Sequence, residues 1–171
     1  MRRIRYAVAA SLDGYIAGPK GEFDWIVPDP DVGFPALLDQ FDTVLLGRRS
    51  YEITLSPGAP PWPPGIRLYV FSRTLRQRDH PGVTLVAEKA EEAVTALRAG
   101  PGKDIWLFGG GFLFRSLLEA GLVDTVEVAI IPVLLGGGVP LLASPASRAR
   151  LKLTGHKAYK TGRVSLEYAV Q

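Results

Sequence analysis

Hydrophobic and polar positions change period several times along this chain, and the changes mark its elements. Ile4, Tyr6 and Val8 alternate with Arg3 and Arg5, and Val8-Ala9-Ala10 then runs on apolar, which predicts a strand whose end lies inside a sheet. The following stretch, SLDGYIAGPKGEFDW, holds the turn dipeptides Asp13-Gly14 and Gly18-Pro19. It reads as an ordered loop bent twice over the strand end, with Ile16 and Trp25 as apolar anchors. From Asp31 onward Phe34, Leu37, Leu38 and Phe41 recur at i, i+3, i+4 and i+7, the pattern of a one-faced helix with Pro35 in or near its first turn. Thr43-Val44-Leu45-Leu46 then predicts a buried strand ended by Gly47.

The alternation continues. LSPGAPPWPPGIR is too rich in proline for regular structure and reads as a loop over one face, before a third strand at Leu68-Tyr69-Val70-Phe71. A short strand over residues 83–86 precedes a helix carrying Ala90, Ala93, Val94 and Leu97 on one face, stopped by Gly100-Pro101-Gly102. Ile105-Trp106-Leu107-Phe108 ends in three glycines, and Phe112, Leu113, Phe114, Leu117 and Leu118 follow at helical spacing: strand, sharp turn, helix. Residues 126–131 predict another strand, a second glycine triplet spans 136–138, and residues 151–160 and 164–170 alternate around Thr161-Gly162 as a terminal antiparallel hairpin. About eight strands and about four helices result, and their early alternation predicts an α/β fold with a mostly parallel sheet covered on both faces.

Composition narrows the chemistry. The 171 residues fit a single domain, 1–171, with a core of its own. Cysteine is absent and there are two histidines, so disulfides, cysteine nucleophiles and thiolate metal sites are excluded and no metal is expected. Asp13 interrupts the first apolar run too early for a signal peptide or a membrane span, so a cytoplasmic soluble protein is expected. The formal charge of +3 is scattered and forms no nucleic-acid stripe; it suits a small anionic ligand or a solvated surface.

In open parallel sheets ligands bind outside the carboxyl ends of the strands, and four candidate features fall there. They are the Asp13-Gly14 loop, Gly47-Arg48-Arg49-Ser50, Ser72-Arg73 and Gly109-Gly110-Gly111. Guanidiniums and a hydroxyl at a strand-to-helix junction favour anions, and the helix starting near Gly111 offers free N–H groups and a positive dipole end. Each feature also has a plainer reading, as a basic surface turn or a tight turn. GGGFLF lacks the third glycine of the ordinary dinucleotide fingerprint. Together, two basic strand ends and a glycine-rich helix start suit a dinucleotide, with Ser72 and Arg73 placed for an extra phosphate such as the 2′-phosphate of NADPH.

AASLDGYIAG, DTVLLGRRSYE, VFSR, IWLFGGGFLF and IIPVLLGGGVPLL occur in this order over nearly the whole chain. In these residues the sequence resembles the dihydrofolate reductase fold, and within it stand-alone relatives of the carboxy-terminal reductase domain of riboflavin-biosynthesis deaminase-reductases. The resemblance implies an NADPH-dependent reductase. Gly47, Arg48, Arg49 and Ser50 match the pyrophosphate loop, Ser72 and Arg73 the 2′-phosphate contact, and Gly109, Gly110, Gly111, Phe112 and Leu113 the phosphate-binding turn. Ala9, Ile16 and Ala17 match the nicotinamide wall. It also implies hydride transfer to a C=N bond of a heterocyclic or imine substrate such as 5-amino-6-(5-phosphoribosylamino)uracil. Asp31 and Asp13 are the candidate catalytic and substrate-binding acids, with Trp25 beside the substrate. Asp31 equally fits a helix N-cap and Asp13 a turn-former. Dihydrofolate reductase-type activity, and a catalytically silent dimeric nucleotide-binding protein, stay open. A homodimer is expected, with the apolar segment around residues 139–142 as its surface unless the chain itself covers it. No nucleic-acid or membrane partner is expected.

Overall fold

The computed structural model describes residues 1–171. Its core is an eight-stranded sheet in the order β5-β4-β3-β6-β1-β7-β10-β9. The strands are β1 (Ile4–Ser11), β3 (Phe41–Gly47), β4 (Arg67–Phe71), β5 (Thr84–Val86), β6 (Asp104–Gly109), β7 (Thr125–Ile131), β9 (Leu151–Ala158) and β10 (Val164–Val170). From β5 to β7 all neighbours are parallel; β10 runs antiparallel to β7 and β9 antiparallel to β10. This is the mostly parallel sheet with a terminal hairpin that the alternation predicts. A second, unpredicted sheet pairs β2 (Tyr15–Ala17) with β8 (Val139–Pro140).

Strand alternation divides the core in two. On one face Ile4, Tyr6 and Ala10 of β1 join Ile105, Leu107, Val126 and Val128 under the helices α3 (Ala90–Ala99) and α4 (Gly111–Glu119), which contribute Val94, Leu113, Phe114 and Leu117. The Tyr6 and Phe114 rings stack with centroids 3.8 Å apart. On the other face Ala7, Phe41, Val44, Leu46, Val70 and Trp106 meet Tyr51 of α2 (Arg48–Thr54), with Leu37 and Leu38 of α1 (Phe34–Leu38) and Trp62 packed around them. The Trp106 indole donates to the carbonyl of Ala7 at 2.8 Å, so its polar atom is satisfied in the interior. Helices therefore cover both faces from β5 to β1, while β9 has no buried residue and β10 none either.

Two expectations are corrected. The helix predicted from Asp31 to Phe41 is the five-residue α1, preceded by Gly33 at the N-cap position, not Asp31. Phe41 opens β3 because its ring is buried against Trp106, centroids 5.5 Å apart, and its backbone aligns with Asp104. The 139–142 segment is not an open apolar surface. Leu141 and Leu142 pack onto the α3/α4 side of the core, and the Tyr6 hydroxyl donates to the Leu141 carbonyl at 3.1 Å.

Candidate functional site

The carboxyl ends of β3 and β6 lie side by side, Leu46 opposite Gly109, and each runs straight into a helix. The two helix starts nest closely. A Cβ at Gly109 would stand 3.4 Å from Ser50 Oγ, one at Gly47 would stand 3.7 Å from the Gly109 carbonyl oxygen, and Gly110 has φ of +101°, open to glycine but strained for other residues. The first N–H groups of α4 have no partners within the helix and face this junction with the positive end of its dipole. Arg48 and Arg49 are exposed beside it, and Arg48 meets only Glu52, at 3.9 Å.

β4 continues the row, with Phe71 opposite Gly47. Ser72 is buried, and its hydroxyl oxygen accepts the N–H groups of Thr74 at 3.2 Å and Leu75 at 3.1 Å. Its lone pairs thus build the turn that presents the exposed Arg73. The Tyr51 hydroxyl and His80 Nδ1 lie 3.2 Å apart, tying α2 to the far end of the same turn region. Burial pushes the Tyr51 hydroxyl pKa up, so it stays a neutral phenol at this contact. Glycines and cations at these ends thus leave an open cradle with unspent donors, which fits a dinucleotide phosphate backbone.

The third glycine of the turn has another task. A Cβ at Gly111 would meet the Pro140 carbonyl oxygen at 2.8 Å and the Ala143 nitrogen at 3.2 Å, so this glycine admits the segment carrying β8 against α4. Leu113 points into the core, and Phe112 is 67% exposed. Ala9 is half-buried near the end of β1; Ile16 and Ala17 lie on β2, which β8 braces, with Leu141 N–H donating to the Gly14 carbonyl at 2.9 Å.

Asp13 sits where β1 leaves the sheet. Its carboxylate accepts from the Ser11 hydroxyl at 2.6 Å, Leu135 N–H at 3.1 Å and Gly136 N–H at 2.8 Å. These bonds, that of Ser11 foremost, hold its pKa below the usual carboxylate value. Asp13 therefore clasps the β1–β2 loop to the second glycine triplet.

On the opposite face, the loop before α1 crosses toward the β9–β10 turn. Trp25 is half-buried, its indole donating to the Glu22 carbonyl at 3.2 Å. Asp29 is buried and takes the Thr161 hydroxyl at 2.5 Å and the Asp31 N–H at 2.9 Å; these, with Arg163 and Lys157 nearby, hold its pKa low. Asp31 is exposed, and its side chain makes no hydrogen bond or ion pair within the chain. Tyr159 carries Lys157 Nζ 4.6 Å and the Arg163 guanidinium carbon 5.4 Å from its ring centroid. Asp29, Thr161, Lys157 and Arg163 escape a reading of strand ends alone. The only signal for them is the one-face spacing of Lys157 with Tyr159 across a turn from Arg163.

A cradle at the ends of β3, β4 and β6, beside a loop over β1, defines a protein of the dihydrofolate reductase-like fold. Dihydrofolate reductase from Enterococcus faecalis, solved with NADP(H), superimposes with a TM-score of 0.71 at 18% identity, covering 99% of this chain and 96% of that one. The chain belongs to the RibD C-terminal domain family, whose model matches residues 2–165. It is 37% identical to the uncharacterized protein YyaP of Bacillus subtilis (strain 168) over 178 aligned positions, covering 98% of this chain and 94% of YyaP. The "Putative riboflavin biosynthesis protein" of Shewanella sp. PV-4 superimposes with a TM-score of 0.84 at 31% identity, over 100% of this chain and 99% of that one. No helix is long and apolar enough to cross a membrane.

Proposed function

We propose that this member of the family is an NADPH-dependent reductase of a C=N bond in a small heterocyclic or imine substrate, with 5-amino-6-(5-phosphoribosylamino)uracil the model for its class. The observation that carries this reading is the nesting of Gly47–Ser50 against Gly109 and Gly110, with the exposed Arg49 and Arg73, and Arg48 paired only with Glu52, around it. Gly47, Arg48, Arg49, Ser50 and the start of α4 would hold the pyrophosphate, with Phe112 and Leu113 contributing backbone N–H groups. Arg73, set by the Ser72 turn, would meet the 2′-phosphate. Ala9, Ile16 and Ala17 would wall the nicotinamide.

Bound NADPH would supply a hydride to the substrate carbon, and the nitrogen gains a proton from solvent. The chain's part is position and polarity. Asp31, a free carboxylate on an arm anchored by Asp29 to Thr161, is assigned to the substrate, where a negative charge favours the protonated nitrogen that readies the carbon for reduction. Trp25 would close the same side. Asp13 is assigned a positioning role, holding the loop that leads to Ile16 and Ala17.

A fluorescence titration with NADPH and NADH, in wild type and Arg73→Ala, tests the reading. NADPH is expected to bind in the micromolar range, with a preference over NADH of about tenfold or more that Arg73→Ala removes. Absence of binding by either nucleotide would sink it.

The homodimer is assigned to the β9–β10 edge of the sheet, where Leu151 and Leu153 are 42% and 48% exposed on a strand with no outer neighbour. Light scattering should give twice the chain mass for wild type and a monomer for Leu153→Glu; a monomeric wild type overturns the assignment.

A further inference from the structure

Residues 60–64 read Pro-Pro-Trp-Pro-Pro, a motif to which neither the phosphate cradle nor the acids give a task. The prolines have a fixed φ and no N–H to donate, and Pro63 keeps Trp62 out of helical geometry, so the segment is stiff and extended. Residues 57–65 make no hydrogen bond to another element. The backbone bonds here are local, from Ala59 N–H to the Ser56 carbonyl and from Ile66 N–H to that of Pro63. Packing seats the segment on the sheet instead, with the Trp62 ring 5.4 Å from Phe108 and 6.0 Å from Trp106, edge to face in both cases.

The three tryptophans differ in one respect. Trp25 donates its indole N–H to the Glu22 carbonyl at 3.2 Å and Trp106 to that of Ala7 at 2.8 Å, whereas the Trp62 N–H is enclosed without an acceptor. A donor left in that state costs about 1–3 kcal/mol. Its surroundings border the proposed site. Phe108 directly precedes Gly109 of the cradle, and Ala7, next after the Tyr6–Leu107 pair, packs in the same cluster on the strand that carries Ala9. Phe34 also rests on Trp106, 6.2 Å away and 49% exposed, on the arm that carries the exposed Asp31. The one unspent indole donor of the chain thus stands beside the floor where the substrate ring would lie.

We propose that Trp62 determines substrate specificity, its indole N–H taking a carbonyl oxygen of a planar heterocycle that enters beside Phe108. This rests on the reductase reading, and it narrows the substrate to a ring bearing a carbonyl group on the side away from Asp31. Because packing alone seats the proline segment, the indole turns its N–H toward the incoming oxygen without breaking a hydrogen bond. The rings of Phe34, Trp106 and Phe108 keep water from that bond. A ring without the carbonyl leaves the donor unpaired and is discriminated against for that reason.

The test follows the indole N–H signals by NMR in protein saturated with NADPH. Two probes are titrated separately: 6-aminouracil, a planar ring with carbonyl groups, and aniline, a ring of similar size without them. Trp62→Phe identifies the Trp62 signal by its loss. With 6-aminouracil that signal should move downfield and saturate, toward the position of the bonded Trp106 N–H, and with aniline it should move little. In Trp62→Phe the affinity for 6-aminouracil should fall about tenfold, the worth of one hydrogen bond, while the affinities for aniline and NADPH are unchanged. An N–H resting on the face of a neighbouring ring gives an upfield signal that 6-aminouracil leaves in place, and that result overturns the proposal. Equal losses for both probes in Trp62→Phe overturn it too, since they assign the ring to packing. If NADPH does not bind, the reductase reading falls, and the Trp62 signal in the same titration without cofactor decides whether the indole takes a heterocycle.

Discussion

The carboxylate of Asp13 accepts the backbone N–H of Gly136 at 2.8 Å, joining two loops 123 residues apart at the mouth of the site. Because the same carboxylate also takes Leu135 N–H and the Ser11 hydroxyl, one side chain closes the β1–β2 loop against the glycine triplet. The folded carboxyl pKa is depressed, so the clasp adds stability above the unfolded value of about 3.9 and loses it as pH falls through the lower folded value. Protection of the Leu135 and Gly136 amides against hydrogen exchange, relative to their intrinsic rates, should be high at neutral pH and fall only in strong acid. Asp13→Asn should lower that protection at neutral pH and match wild type in strong acid, and unchanged protection at neutral pH in that variant would show that the clasp does not hold the loop.

Gly110, at φ of +101°, makes a second expectation concrete. Gly110→Ala should cost about 1–3 kcal/mol in denaturant unfolding and shift the start of α4. NADPH affinity should drop further than stability alone explains, since the helix N–H groups move with it. A variant of native stability with native affinity would show that this turn does not set the cradle.

Tyr51 and His80 test whether the cradle is one unit. Tyr51→Phe removes the 3.2 Å contact while keeping the buried ring, at a cost of about 1 kcal/mol in stability. If α2 and the turn carrying Arg73 are held in register by this contact, NADPH should weaken more than NADH. Equal weakening of both would assign the contact to stability only.

Trp106 tests the core beneath the site. Trp106→Phe deletes the indole donor to Ala7 and part of a ring that touches Phe41, Trp62 and Phe108. A loss of about 2–4 kcal/mol in unfolding free energy is expected, with nucleotide binding retained after correction for unfolded protein. A loss below about 0.5 kcal/mol would contradict its burial.

Legibility varied with the range of the interaction. Glycine breaks after Leu46 and Phe108 mark strand-to-helix turns locally, and both stand in the structure where the spacing put them. Phe41 misled the periodicity, because an apolar residue seven positions after Phe34 fits a helix and a strand start equally well; only Trp106, distant in sequence, chooses the strand. Ser72 reads as a phosphate ligand from its place at a strand end. Only the structure shows that its hydroxyl oxygen also accepts two N–H groups of its own turn, which leaves the hydroxyl proton for a ligand.

The sequence by itself determined what depends on local period and backbone freedom: the alternating elements, the terminal hairpin, and the glycines and arginines at the strand ends. The resemblance of its motifs carried the fold and family. Tertiary structure alone decided which polar groups are spent and which are free. Asp29 and Asp31 are near neighbours in composition and position, yet one is buried against Thr161 while the other is exposed. Leu141 and Leu142 look as sticky as any surface patch until β8 folds them onto the core. The physical reason is that burial and hydrogen-bond satisfaction belong to pairs of residues, and for Asp13, Asp29 and Leu141 the deciding partners lie more than 100 positions away.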